Sequence, residues 1–356
     1  MELTKRFDLI KEVGEEIIKE DELKELLKTK KNPIAYDGFE PSGKIHIAQG
    51  LLRAININKM ITAGCKFKMW VADWHAWANN KFDGDLEKIQ TCGEYFIEVW
   101  KATGMDMTKV DFVWANKAMR DVNYWKTVMQ VARNSTVKRI TRCGQIMGRK
   151  EGESLQASQI FYPCMQAADI FYLNVDIAQL GMDQRKVNVL ARELGPKLGF
   201  WKPIAVHHHM LMGLGQPPKG TVTTDRVIAM KMSKSNPDSA IFMTDTTEEV
   251  NRKLNKAYCP EGVIEENPVL EYCKYIVFEK IKEFKITRPE KFGGNISFKD
   301  YNGLETAFKN KKVHPMDLKT STARYINELL EPVRNHFKTG KPAKLLKQVQ
   351  GFEITK

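Results

Sequence analysis

Between Pro33 and Ile55 the chain passes from a strand through a turn into a helix, and this stretch constrains the fold more than any other. Pro33-Ile34-Ala35-Tyr36 reads as the entry to a buried strand, and Pro41-Ser42-Gly43 supplies a turn. From His46 the apolar residues take helical spacing, with Ile47, Leu51, Ala54 and Ile55 on one face. A strand, a small-residue turn and a helix start in this order aim backbone N–H groups and the positive end of a helix dipole at an anion. Gly38 and Gly43 permit close approach to the backbone, and His46 can donate to a phosphate. Many α/β proteins open this way, so the segment alone names no ligand.

Strand-like and helical runs then alternate: Ile34–Phe39, a helix from His46, Phe67–Ala72, a helix over Leu86–Thr103, and Val110–Ala115. This rhythm predicts a Rossmann-like parallel sheet with helices on both faces. After Asp121 the pattern is helical to about residue 172, interrupted by Gly148 to Gly152, and strands resume at Val175–Ala178 and Pro203–His207. The catalytic α/β domain is expected over 1–240, with a helical insertion at about 116–160. Residues 3–30 read as amphipathic surface helices. Beyond Thr244 the pattern is helical, at 247–258, 268–284, 300–310 and 315–337, with a polar, peripheral tail over Lys338–Lys356. Residues 241–356 are thus expected to form a mostly α-helical second domain.

Lys231-Met232-Ser233-Lys234-Ser235, closed by Asn236-Pro237, cannot contribute to a core. It presents ammonium groups and hydroxyls, which suit a triphosphate or simply a solvated surface. Paired with the turn before His46, it makes a two-sided phosphate clamp.

With these segments in place the chain resembles the class I aminoacyl-tRNA synthetases, specifically the tyrosyl-tRNA synthetases of archaeal and eukaryotic type. His46-Ile47-Ala48-Gln49 stands where the class has His-Ile-Gly-His, and Lys231 to Ser235 matches the second class signature fully. The resemblance continues through Phe161 to Asp169, Gly181 to Lys186, Arg288 to Gly294 and His314 to Lys319, covering nearly the whole chain in order. It implies a tyrosine–tRNA ligase that forms tyrosyl-adenylate from ATP, with Mg²⁺ on the triphosphate, and then charges the terminal adenosine of tRNA. It also implies a homodimer that uses the helical insertion as its interface, and an anticodon-binding role for the C-terminal domain. The chain departs from the class at Ala48 and Gln49: a glutamine can donate one hydrogen bond but carries no charge.

A tyrosine pocket needs a buried donor–acceptor pair, because phenylalanine would leave both groups unpaired. Tyr36, in its buried strand, and Asp169, in the apolar helix Ile160–Leu173, suit that role; the alternatives are a core tyrosine and a capped or salt-bridged acid. Tyr162, Gln166 and Asp169 share one helix face. The resemblance assigns Tyr162, Gln166 and Gln184 to the substrate's α-amino group and Tyr36 with Asp169 to its hydroxyl. His75, just beyond a strand end, is placed either to line the pocket or to bond a loop carbonyl. The ATP-binding set is Gly38, Glu40, Gly43, His46, Gly181, Asp183, Met232 and Lys234, with Asp183 accepting from ribose hydroxyls. His46, Gln49, Lys231 and Lys234 are the expected catalytic residues. The lysines neutralise charge on the β,γ-phosphates as the tyrosine carboxylate attacks the α-phosphorus.

A net charge of +12 fits a polyanionic partner, and nine basic residues stand against one acid between Ala115 and Lys150. Phe292, beside Lys291 and Gly293-Gly294, offers a stacking platform for an unpaired base, and Asp317 can accept from a base edge. The alternatives are a core phenylalanine and a helix N-terminal acid. The resemblance implies that Phe292, His314 and Asp317 contact the anticodon. Six cysteines lack metal spacing and point to a reducing, cytoplasmic setting. His207-His208-His209 is not expected to bind metal, because neighbouring strand residues point apart. No run approaches the length of a membrane span, and the start of the chain does not read as a signal peptide. The competing readings are a tryptophanyl-type enzyme, a non-catalytic RNA-binding or signalling paralogue, and a nucleotidyltransferase on the same fold.

Overall fold

A computed structural model describes residues 1–147, 154–218, 220, 226, 230–232 and 236–352. The N-terminal segment forms helix α1 (Leu3–Val13), strand β1 (Glu16–Ile18) and helix α2 (Glu20–Thr29). Then come β2 (Ile34–Phe39), α3 (Arg53–Thr62), β3 (Lys66–Val71), α4 (Asp73–Ala78), α5 (Leu86–Ala102) and β4 (Val110–Trp114). Helices α6 (Ala115–Ala118), α7 (Val122–Arg133), α8 (Val137–Cys143) and α9 (Ala157–Tyr172) precede β5 (Ile177–Gly181), α10 (Arg185–Leu194) and β6 (Ile204–His208).

The strands lie in the order β1-β6-β5-β2-β3-β4, all parallel except β1, which runs antiparallel to β6. The α/β expectation is therefore met, and the interior strands are buried on both faces, as parallel strands must be. β2 sits where the order reverses, between β5 and β3. The crevice at the carboxyl ends of β2 and β5 is the natural ligand position of such a sheet. β1 was not expected from sequence. Three half-buried residues between two helices carry no readable alternation, yet they cover an otherwise open sheet edge.

Two apolar cores pack on opposite faces of the sheet. One gathers α1, α2, α3 and α5, and it continues without a break into the C-terminal helices. The other gathers α7 to α10. The core therefore shows no break at residue 240, because the chain after the lysine segment returns to the turn between β2 and α3. Ile47 N–H donates to Ile241 O (2.9 Å) and Met243 N–H to Ile45 O (3.0 Å).

Three C-terminal expectations need correction. The helix expected over 268–284 ends early, as Pro268–Tyr272 and a wide turn over Cys273–Val277. It gives way to an antiparallel pair, β7 (Phe284–Ile286) with β8 (Ile296–Phe298), whose short strands leave no sequence period. The tail is not peripheral: Gly340–Gln350 is a helix with Leu345 and Val349 buried. Lys341 pairs with Glu94 of α5 at 2.7 Å, and the Phe337 ring packs on Tyr95. Leu346 and Phe352 also pack on this core, with the Phe352 ring edge-on to Phe82.

Candidate active site

A cleft of about 560 Å³ opens at the switch point between β2 and β5. It is lined by Tyr36, Gly38, Glu40, His46, Gln49, Tyr162, Gln166, Asp169, Gly181, Asp183, Gln184, Lys231 and Met232, which the sequence had spread over some two hundred residues. Gly43 shapes the turn from the left-handed region (φ 67°). A Cβ on Gly38 would make only ordinary contact with Trp70, at 3.7 Å, and its φ is not positive. Neither packing nor backbone conformation demands that glycine, so its missing side chain serves the space of the cleft.

At the inner end, the Tyr36 hydroxyl is buried without a hydrogen-bond partner among the described residues. Burial, with Asp169 and Asp37 nearby, raises its pKa well above the ordinary range, so it is a neutral donor. Asp169 Oδ1 accepts from the Tyr124 hydroxyl at 2.8 Å. Its Oδ2 lies 2.9 Å from His75 Nε2, close enough for ion pairing but not aligned as a hydrogen bond. His75 does not line the cleft: α4 turns it back onto Asp169, with its ring edge-on to Tyr162 at 5.1 Å. Tyr124 is a residue that sequence reasoning missed. Its spacing with Val128 and Val131 marks it as inward-facing, but nothing local points it at Asp169. Gln166 Nε2 donates to Gln184 Oε1 at 2.9 Å, and Gln184 Nε2 to Ile146 O at 3.3 Å. The amides are thereby oriented by each other.

At the outer end, His46 Nδ1 accepts the Gln49 N–H at 3.4 Å. An imidazole accepting at Nδ1 carries its proton on Nε2 and can donate there. Gln49 is held through its backbone, whose carbonyl accepts from Trp100 Nε1 at 2.9 Å, while its Oε1 has no hydrogen-bond partner among the described residues. Lys231 Nζ pairs with Asp183 Oδ2 at 2.8 Å. Burial works to raise the Asp183 pKa, but Lys231 and Gln184 outweigh it and hold it below the usual value. A Cβ on Gly181 would stand 2.6 Å from Asp183 Oδ1, so the glycine lets this carboxylate fold back onto the strand end. Glu40 Oε1 accepts from Asn79 Nδ2 at 2.8 Å. Lys234, with Ser233 and Ser235, lies outside the described residues.

Asp37 and Arg53, also missed from sequence, line the same cleft. Arg53 Nε lies 2.7 Å from Asp37 Oδ2, and Asp37 Oδ1 accepts the Gly38 N–H at 2.7 Å. Burial lifts the Asp37 pKa to about 6 against the pull of Arg53. The three histidines diverge, as strand geometry requires. His207 contacts Glu16 and Asn188, His208 contacts Gln179, and His209 lies between Glu15 and Glu271.

Far from the cleft, Phe292 is 62% exposed, with Lys291 Nζ 5.0 Å from its ring centre. His314 caps the helix Pro315–His336, its Nδ1 accepting from Met316 N–H at 3.2 Å. Arg288 links the two parts. Its Nε donates to Gly294 O (2.7 Å) and its Nη1 to Lys312 O (3.0 Å), with Asp317 Oδ2 at 3.9 Å. Phe292, His314 and Asp317 thus share one surface, and Arg288 is the tie that sequence reasoning overlooked.

A family model described as tRNA synthetases class I (W and Y) matches residues 28–331. Tyrosine–tRNA ligase 1, cytoplasmic, of Arabidopsis thaliana is 51% identical over all of this chain and 90% of its own length. The tyrosine–tRNA ligase of Thermococcus sibiricus is 43% identical, over 98% of this chain and 99% of its own. Among solved structures, tyrosyl-tRNA synthetase of Pyrococcus horikoshii complexed with L-tyrosine superposes with a TM-score of 0.91 at 39% identity, covering 98% of this chain and 100% of that one.

Proposed function

The chain belongs to the class I tRNA synthetases for tryptophan and tyrosine, and we propose that its cleft activates tyrosine with ATP for transfer to the 3′ adenosine of tRNA. The observation that carries the choice of amino acid is the buried, unpartnered Tyr36 hydroxyl beside Asp169. A phenol both accepts from Tyr36 and donates to Asp169, whereas an indole offers one donor and no hydroxyl. Leaving a buried donor unmet costs about 1–3 kcal/mol, which disfavours tryptophan and phenylalanine. Tyr162, Gln166 and Gln184 hold the α-amino group, with His75 acting from behind through Asp169.

ATP enters as its Mg²⁺ complex, with the triphosphate between the turn at Gly43–His46 and the lysine segment. The tyrosine carboxylate attacks the α-phosphorus and pyrophosphate leaves. No side-chain nucleophile takes part, and the work is positioning and charge neutralisation. His46 Nε2 donates to the phosphates, Gln49 supplies an uncharged donor, and Lys231 and Lys234 balance the β,γ-phosphates. Asp183 exchanges Lys231 for the ribose hydroxyls. Glu40 and Met232 border the nucleotide.

The same reading makes the protein a cytoplasmic homodimer, with residues 241–356 reading the tRNA. Val122, Trp125 and Met129 are exposed along one face of α7, with Val137 exposed on α8, which supports a second copy covering the insertion. Exposed Phe292 with Asp317 supports anticodon contact. The deciding experiment is ATP–pyrophosphate exchange with tyrosine, tryptophan and phenylalanine in parallel. Exchange with tyrosine alone is expected. Exchange with tryptophan instead would overturn the pocket assignment, and none with any amino acid would favour the RNA-binding paralogue.

A further inference from the structure

The backbone of Met212 is gripped from two sides. On one side, its N–H donates to Glu271 Oε2 at 3.0 Å, and its carbonyl accepts from the Tyr272 hydroxyl at 3.1 Å. Both residues belong to the helix Pro268–Tyr272, beyond the lysine segment in sequence. On the other side, Met212 pairs with Lys231 in an antiparallel bridge. The neighbouring Gly213 N–H donates to Met230 O (2.7 Å), and Leu214 N–H to Ser239 O (2.9 Å). A Cβ on Gly213 would stand 3.1 Å from both Lys231 O and Ser239 O, so the glycine permits this close layering. Residues 212–214 thus form a ply between the helix and both flanks of the lysine segment.

We propose that Glu271 and Tyr272 are positioning residues for Lys231: through Met212 they set where its ammonium group stands in the cleft. The N–H and the carbonyl of one residue, each held by a side chain of the same short helix, cannot slide along the helix. The bridge to Lys231 passes that constraint to the lysine backbone. Glu271 is kept in place by His209, whose Nε2 lies 3.2 Å away and whose ring stacks on Tyr275. The C-terminal helices thereby share an interface with the ATP end of the site. The proposal rests on the reading of Lys231 as a phosphate ligand.

The test is tyrosine-dependent ATP–pyrophosphate exchange with Tyr272→Phe, Glu271→Met, which removes the acceptor, Lys231→Ala and the doubles Tyr272→Phe/Lys231→Ala and Glu271→Met/Lys231→Ala, alongside tyrosine affinity by equilibrium dialysis. Each removed hydrogen bond should lower kcat/KM for ATP about ten-fold with tyrosine affinity unchanged. In the Lys231→Ala background neither substitution should have further effect, an outcome that general loosening would not produce. Full ATP efficiency in both single variants, parallel loss of tyrosine affinity, or additive doubles would overturn the proposal. Wild-type exchange in Lys231→Ala would overturn it by removing its premise, and so separates that failure from failure of the clamp. Glu271→Met, at a partly exposed position, keeps the test open should Tyr272→Phe fold poorly.

Discussion

His46 and Phe242 face each other across an antiparallel bridge, flanked by the hydrogen bonds between Ile47 and Ile241 and between Met243 and Ile45. The histidine of the first signature is thus held by the residues that follow the second. Phe242 is itself fixed: its N–H donates to Asp245 Oδ2, and the buried Lys253 ammonium lies 2.6 Å from that carboxylate. The two signature segments share a backbone anchor although nearly two hundred residues separate them.

That anchor leaves no room at Gly50, where a Cβ would overlap the Met243 thioether. Gly50→Ala should destabilise the fold by about 1–3 kcal/mol, as overpacking does. The urea midpoint measures it. Met243→Ala in the same chain should recover part of the loss; a Gly50→Ala protein of wild-type stability would show that the contact is not tight.

Tyr36→Phe should separate stability from function. The hydroxyl has no hydrogen-bond partner among the described residues, so its removal should leave the melting temperature unchanged or higher. Efficiency with tyrosine should fall by a factor equivalent to about 1–3 kcal/mol. A lowered melting temperature with unchanged tyrosine kinetics would assign Tyr36 to the core instead.

Tyr124→Phe should do the opposite to stability. It strips Asp169 Oδ1 of its donor in a buried setting, at a cost of about 1–3 kcal/mol. Thermal unfolding beside Tyr36→Phe makes the contrast, and tyrosine efficiency should fall in both.

The contact of His209 with Glu15 and Glu271 predicts a pH window. Burial opposes its charge, but the two carboxylates prevail and lift its pKa from 6.5 to about 9. With the folded pKa raised, the stabilisation is complete below pH 6.5 and fades as pH climbs through 9, with roughly 3 kcal/mol as an upper bound. At the acid end, hydrogen bonding to His209 holds Glu15 below its ordinary 4.5, so that contact is lost as pH falls through the lowered value. Urea unfolding from pH 6 to 10 should show the alkaline decline, and His209→Gln should flatten it.

Phe292→Ala should weaken tRNA charging by the equivalent of about 1–3 kcal/mol while leaving ATP–pyrophosphate exchange untouched. Exposure of its ring means folding should not suffer. Equal losses in both assays would remove Phe292 from RNA contact.

The strands β2 to β6 were legible because buried runs bounded by turns and separated by helical periods leave a local trace. β1, β7 and β8 were not, since three residues are too few to alternate. In the site, polar residues inside apolar segments, such as Asp169, announced themselves by their cost of burial. Tyr124 and Arg288 did not, because a tyrosine on an amphipathic helix and an arginine near a loop are ordinary until their partners are known. His75 was placed one layer too far forward, since a strand end names a region but not the direction of a side chain.

By itself the sequence determined the α/β architecture and the two signature segments at His46 and Lys231, both written in side-chain chemistry and short-range spacing. Only the tertiary structure decided that Tyr124 and His75 bracket Asp169, that Arg288 unites the surface of Phe292 and Asp317, and that Glu271 and Tyr272 grip the ply beneath Lys231. Most of these contacts join residues tens of positions apart in the chain. Their energies depend on how whole elements pack, and no local pattern of residues encodes that.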